Sequence, residues 1–457
     1  MPVSRSRLRA VGAGHAASQS PLWPVVVLGV GLSAGQVWGG LYDLSIWGPI
    51  ALVVAAGLVG LLVFRGNIEI ATSVFFDSTN SFTLTAVPLF ILLGEILVRC
   101  GASDTIYRGT SRLVSWAPGG LLHANMASCA LFAAVCGSSP ATAATIGSIA
   151  IPELERRRYD SRIALGSLAA GGTLGILIPP SINMIIYGMV ANASVGALFV
   201  GGVVPGLLMT ALFMAYIAVR VYITPSMAPH DLPFTWRGAL VGLLELWPAW
   251  FLGFVVLGGI FAGIYTPTEG AAVGVVGALL IALVMRRLTR EMLAIAIKNT
   301  VAISSLVLFV YVGAMVLGSF FGVMGVPALA TERVSAANVG PYVVLAAVFL
   351  LYLVLGCFLD GISMIVLTVP TVLPILEALG FDRIWFGIAL VVLCEIGMIT
   401  PPMGLNLFVI QGISKKPLTE VVAGVMPFFF LMLVLLGLLV LMPQLVLWLP
   451  ERLGVGL

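Results

Sequence analysis

Charge is what this chain has least of. Only 9% of its 457 residues are Asp, Glu, Lys or Arg, while 60% are hydrophobic; a soluble domain carries about 25% charged residues. A water-facing surface cannot be assembled from that inventory, so most of the chain must face lipid or other apolar helices. Apolar stretches at 198–221, 250–264, 343–359 and 421–449 approach or exceed the roughly 20 residues that span a bilayer. Strand-like alternation of polar and apolar residues is absent, which argues against a barrel and predicts helices. The expected class is an all-α polytopic membrane protein.

Other absences narrow the chemistry. Three histidines (His15, His123, His230) are scattered, and five cysteines (Cys100, Cys129, Cys136, Cys357, Cys394) sit in or beside apolar stretches without metal-ligand spacing; they read as packing residues. No basic run interleaved with aromatics offers a nucleic-acid surface, and no cofactor motif is present. Walker-A, G-x-S-x-G and HExxH patterns are missing, so neither ATP hydrolysis nor a hydrolase is expected. The N-terminal "MPVSRSRLRAVGAGHAASQS" is basic but is followed by no convincing cleavage site, which reads as a retained tail. Whether 22–64 holds one span or two is left open by the sequence, as is the side on which the tail lies.

What is present is punctuation, and it repeats. "LGILIPPSIN" (174–183) and "IGMITPPMGLN" (396–406) each place two prolines inside an apolar run, although proline costs a helix interior roughly 3 kcal/mol. At an offset of 222 positions Pro179 and Pro180 fall on Pro401 and Pro402, Gly175 on Gly397, and Pro152 on Pro374. The polar turn "CGSSPATAATIG" (136–147) falls over "CFLDGISMIVLTV" (357–369) with a two-residue slip. The organisation expected is a basic tail and possible extra span over 1–45, a first repeat over 46–224, a polar connector at 225–238 and a second repeat over 239–457. Amphipathic stretches at 67–81 and 103–116 are too polar to span and suit the interface.

Charge bias gives the two copies opposite orientations. After the first polar turn, "PELERRRYDSR" has four arginines and its counterpart "PILEALGFDRI" one; after the proline pairs, "VANASVGALF" has no Lys or Arg and "QGISKKPLTE" two lysines. Basic loops stay cytoplasmic, so the repeats are expected to be inverted in the membrane, with discontinuous helices meeting at its midplane. Each copy should hold one re-entrant helical hairpin (about 120–155 and 356–379, with tips near 137–142 and 360–363) and one broken helix (163–190 and 384–412).

Backbone freed at a hairpin tip or break has no partner in lipid and survives only buried in protein or facing a cavity. Its carbonyls and neighbouring hydroxyls are hard ligands suited to Na⁺, while half-helix N-termini suit a carboxylate. The candidate binding residues are Gly137, Ser138, Ser139, Thr142, Thr173, Pro179, Pro180 and Asn183 in the first copy. In the second they are Asp360, Gly361, Ser363, Gly397, Thr400, Pro401, Pro402 and Asn406, with Na⁺ placed near Ser138, Ser139, Asp360, Ser363 and Thr400. Each Ser or Thr alone more simply back-bonds to its own helix. Asp360 stands out as an acid in apolar sequence. Glu269, after "YTPT", reads as a helix N-terminal residue; Glu95 and Glu395 read as partners of basic groups near span ends.

"PLFILLGEIL" (88–97), "GSSPATAATIGSIAIPEL" (137–154), "GILIPPSINMIIYG" (175–188), "LFVGGVVPGLL" (198–208), "GIYTPTEGAAV" (263–273), "GCFLDGISMIVL" (356–367) and "ITPPMGLNLFVI" (399–410) closely resemble the large membrane subunit of tripartite ATP-independent periplasmic (TRAP) transporters, over roughly 46–450. The resemblance implies a Na⁺-coupled importer of organic acids in the bacterial inner membrane. It also implies an elevator in which a transport domain slides against a scaffold, and two partners: a four-span small membrane subunit, fused in some members, and a periplasmic binding protein. Two rivals remain: a stand-alone carboxylate symporter needing no binding protein, and a structural membrane protein whose breaks only shape helices. The solute itself is not legible.

Overall fold

A computed structural model of the chain describes residues 68–229, 235–336 and 339–455. The tail over 1–45, the apolar stretches at 22–41 and 47–64 and the middle of the 225–238 connector lie outside the described residues.

Every described regular element is helical. In chain order they are α1 (Ile68–Thr79), α2 (Ala86–Arg99), α3 (Ala102–Leu113), α4 (Leu121–Cys136), α5 (Ser139–Arg156), α6 (Ser161–Leu177), α7 (Ile182–Val190), α8 (Val195–Ile223) and α9 (Trp236–Glu245). Then follow α10 (Trp247–Phe261), α11 (Pro267–Val284), α12 (Arg290–Val323), α13 (Val326–Ala336), α14 (Pro341–Gly356), α15 (Gly361–Ala378), α16 (Arg383–Met398), α17 (Leu405–Ser414), α18 (Leu418–Leu441) and α19 (Gln444–Leu453). Five of these (α8, α11, α12, α15, α18) are long and apolar enough to cross a membrane, and three helix pairs form bent spans: 72–99 by 59°, 161–190 by 42° and 236–261 by 48°.

Burial sorts the helices into a centre and a rim. In α6 every residue from Ile163 to Leu177 is buried, and in α16 every residue from Trp385 to Met398. A helix apolar on all sides is stable only where protein or lipid surrounds it, and for these two the surrounding is protein. Rim helices instead present large apolar side chains outward, among them Phe254, Leu283, Leu350, Phe430 and Leu441. In water such a surface would be an aggregation site; against lipid tails it costs nothing.

The two central segments, α6–α7 and α16–α17, run antiparallel. At one end the close of α7 meets the start of α16, where the Tyr187 hydroxyl donates to the Arg383 carbonyl (2.6 Å) and the Arg383 guanidinium to the Asn192 carbonyl (3.3 Å). At the other end Lys416, just past α17, lines one cavity of about 350 Å³ with Glu155, Tyr159 and Ser161 at the start of α6. Arg156, Arg157, Arg158 and Arg162 therefore gather with Lys415 and Lys416 at the same end.

Glycine makes the tightest crossing possible. A Cβ on Gly166 of α6 would fall on the Gly424 carbonyl of α18, and one on Gly424 would fall on the Arg162 carbonyl. Small residues at such crossings let backbones touch, which is how helices associate where lipid supplies no hydrophobic drive. The α4–α5 hairpin packs along α6 from the other side. The second hairpin, expected over about 356–379, has its arms at α14 (Pro341–Gly356) and α15 (Gly361–Ala378); the first arm begins earlier because Pro341 opens an apolar helix that runs straight into the tip.

Gly424→Ala should lower the melting temperature of the purified protein, since overpacking against backbone costs about 1–3 kcal/mol. Gly437→Ala, on the same helix with nothing within 4 Å of its added methyl, should be neutral or stabilise by up to about 1 kcal/mol. Equal melting of the two variants would contradict the α6–α18 contact.

Candidate functional site

Each proline pair interrupts a helix in the same way. Between α6 and α7 the chain passes through Ile178–Ser181, and between α16 and α17 through Ile399–Gly404; the Pro179–Pro180 and Pro401–Pro402 peptide bonds are both cis. Ser181 restarts the first segment by accepting the Met184 N–H (3.4 Å), and Gly404 at φ +28° restarts the second.

A hairpin tip is seated on each break. Gly137 ends α4 at φ +66°, and a Cβ there would stand 2.8 Å from the Pro180 carbonyl. Ser138 is extended, and its carbonyl faces α6 so closely that a Cβ on Gly175 would meet it at 2.6 Å and the Thr142 hydroxyl at 2.8 Å. In the second copy a Cβ on Gly397 would lie 2.7 Å from the Gly356 carbonyl, and the Met403 N–H donates to the Cys357 carbonyl (3.3 Å). Glycine is required at these positions because backbone, not side chain, is the neighbour.

The second arms then cross between copies. α5 packs on α17, where Ser139 meets Asn406, and α15 packs on α7, where Gly361 lies against the Asn183 amide. Gly137, Ser138, Ser139, Thr142, Thr173, Pro179, Pro180, Asn183, Gly361 and Asn406 thus form one largely buried region. Asp360, Pro401 and Pro402 lie at its open edge, exposed, with Ser363 and Thr400 half-buried.

Several of the expected ion ligands are engaged locally. Thr142, Thr173 and Thr400 donate their hydroxyls back to the carbonyls of Ser138 (2.8 Å), Ala170 (2.6 Å) and Ile396 (2.6 Å); their lone pairs remain able to accept. Asp360 is the N-cap of α15: one carboxylate oxygen accepts the Ile362 (3.1 Å) and Ser363 (3.3 Å) N–H groups, and the other accepts the Ser363 hydroxyl. Ser139 donates to Glu395 Oε2 (2.9 Å) and accepts from Asn406 Nδ2 (2.9 Å). Three buried polar atoms here have no hydrogen-bond partner: Asn183 Nδ2, Asn406 Oδ1 and Glu395 Oε1.

Glu395 corrects a sequence expectation. Among the described residues no basic group pairs with it; it is fully buried against Ser139. The signal was available, since an acid inside "VVLCEIGMI" is as costly in an apolar setting as Asp360. Glu95 does meet its expected basic partner, Arg99 (3.0 Å), and also Asn299 (3.1 Å). Glu269 closes a capping box with Thr266. Among the described residues no group of three His, Cys, Asp or Glu side chains forms a metal site. A wider cleft of about 700 Å³ opens at the end away from the arginines, lined by Asp77, Ser78, Asn192, Ser194, Thr266 and Tyr311.

Comparison with known proteins gives the family and the overall fold. The family model of the tripartite ATP-independent periplasmic transporter, DctM component, matches residues 42–445. A C4-dicarboxylate TRAP transporter large permease protein from Vibrio cholerae is 36% identical over 432 residues, covering 89% of this chain and 94% of that protein. A sialic acid TRAP transporter large permease protein from the same organism is 32% identical, covering 92% and 99%. Among solved structures, the YdaH transporter of Alcanivorax borkumensis shares the fold with a TM-score of 0.57 at 16% identity, over 86% of this chain and 91% of its own.

Because Asp360 caps α15, Asp360→Ala should destabilise that helix by about 0.5–2 kcal/mol, and Asp360→Asn by only a few tenths. Hydrogen exchange at the Ile362 and Ser363 amides is the readout: faster in the alanine variant, near wild type in the asparagine one.

Proposed function

The chain belongs to the DctM-component family of tripartite ATP-independent periplasmic transporters, and on that premise we propose that it is the translocating subunit of such a system. In this reading it imports an organic acid across the bacterial inner membrane together with Na⁺. A periplasmic binding protein delivers the solute, and a small four-span subunit sits beside this chain. Membership makes it a membrane transport permease and not an enzyme.

The observation that carries the reading is the pair of antiparallel broken segments, each with a hairpin tip at its break and each crossed by the other copy's hairpin. Two copies in opposite orientation, with basic loops gathered at one end, suit inverted repeats in a membrane. The tips are taken as re-entrant: α4 has 16 residues, about 24 Å at 1.5 Å per residue, short of the ~30 Å hydrocarbon core. Hairpins and bent segments together make the moving unit of an elevator against a scaffold that includes α2, α11 and α12. The cleft at Asn192 and Thr266 lies between these two units and is the entry for a delivered solute.

The donor set fits the proposed cargo. Na⁺ prefers hard oxygen ligands, and the Ser138 carbonyl, the Asn406 amide oxygen, the threonine lone pairs and Asp360 are all of that type. An anionic solute has no Lys or Arg over 163–190 or 384–412. It is held instead by the unpaired Asn183 amide and the N-terminal end of α5, which no side chain caps.

Proteoliposomes holding this chain with its small subunit test the reading against a panel of C4-dicarboxylates, sialic acid, keto acids and ectoine. Uptake is expected only with the binding protein present and an inward Na⁺ gradient. Uptake without any binding protein would mean a stand-alone symporter, and uptake indifferent to Na⁺ would remove the coupling ion.

A further inference from the structure

Glu395 lies on α16, one turn before the second break, with no exposure to solvent. Among the described residues its one hydrogen-bonding side-chain partner crosses from the other copy: the Ser139 hydroxyl, 256 residues away in sequence, donates to Oε2 at 2.9 Å. Ser139 is the first helical residue after the tip of the α4–α5 hairpin. The same hydroxyl accepts from Asn406 Nδ2 (2.9 Å), and Asn406 also donates to the Ala169 carbonyl of α6 (3.2 Å). One hydroxyl thus uses its hydrogen on α16 and a lone pair on α17, reaching both halves of the bent segment across its break.

The corresponding place in the other copy is built differently. Thr173, at the repeat position of Glu395, turns its hydroxyl back to Ala170, and the nearby Asn183 Nδ2 has no partner. Among the described residues, only the first hairpin is tied to the opposite copy by side-chain hydrogen bonds of this kind. Such a bond in a water-free interior is strong when made, and leaves costly unpaired groups when broken.

We infer that Glu395 is a positioning residue which, through the Ser139 hydroxyl, clasps the tip of the first hairpin to both halves of the second bent segment. The carboxyl touches neither solute nor ion. It sets the angle between α16 and α17 and holds the Ser138 carbonyl against Gly175, so the tip parts from α16 only when the clasp opens. The consequence for transport rests on the function proposed above, but the clasp does not, and its test therefore reads tip opening without transport.

Cys136, three residues before Ser139 and buried with its sulfur against Gly94 of α2, is a native reporter of any loosening of the tip from its surroundings. The full-length chain in lipid nanodiscs is reacted with N-ethylmaleimide, and labelling of each cysteine is followed by peptide mass spectrometry. Glu395→Met and Ser139→Ala should each speed labelling of Cys136 about fivefold or more, the factor that loss of one buried hydrogen bond gives an opening equilibrium. Glu395→Gln, whose amide oxygen accepts the same O–H, should restore the wild-type rate. The double variant Ser139→Ala/Glu395→Met should be no faster than Ser139→Ala alone, which already removes both bonds of the hydroxyl. Cys129, buried on the same helix against Gly171, should not change. Should Glu395→Met not fold, the Ser139→Ala and Glu395→Gln pair carries the same contrast. Equal labelling in wild type and Ser139→Ala, a glutamine variant as fast as Ser139→Ala or Glu395→Met, or parallel labelling of Cys129 would each overturn the clasp.

Discussion

Backbone polar groups freed inside an apolar surrounding must be covered by protein, because lipid offers no hydrogen bond. The rest of this structure follows from that constraint. Two proline pairs free peptide groups at Ile178–Ser181 and Ile399–Gly404, and a hairpin tip lies beside each break, close enough to demand glycine at Gly137, Gly175 and Gly397. The first break is covered, while Pro401 and Pro402 of the second stay exposed to an open edge. The hairpins in turn need α6 and α16 as a floor, which is why those helices are buried along nearly their whole length. A rim of helices with lipid-facing apolar side chains closes around them.

The crossing of α5 onto α17 and of α15 onto α7 makes the two copies one unit. Each hairpin thus touches both broken segments. The copies are not equivalent, however. The first tip and break are buried and tied by Ser139 to Glu395 and Asn406, while Asp360, Pro401 and Pro402 lie exposed at the second. One side of the site is fastened and the other open.

Much of this was legible in the residues. The 222-position spacing of the proline pairs marked both breaks, the glycine and serine turn marked the first tip, and the opposite Lys/Arg bias marked the antiparallel run. What was not legible depended on distant neighbours. Asp360 announced itself as an acid in apolar sequence, yet it spends its carboxylate on capping α15. Glu395 carried the same signal and was read as a partner for a basic group, because nothing local says that Ser139 lies against it. The second hairpin's first arm was missed because its run from Pro341 to Gly356 has the length and composition of an ordinary span.

The central claim is that the two broken segments are antiparallel across the membrane. Single cysteines at Arg157, Lys416, Asn192 and Asp382, in a background lacking the native five, test it by labelling with an impermeant maleimide in right-side-out and inverted vesicles. The account predicts that positions 157 and 416 react from one side and positions 192 and 382 from the other. Positions 157 and 382 reacting from the same side would contradict it.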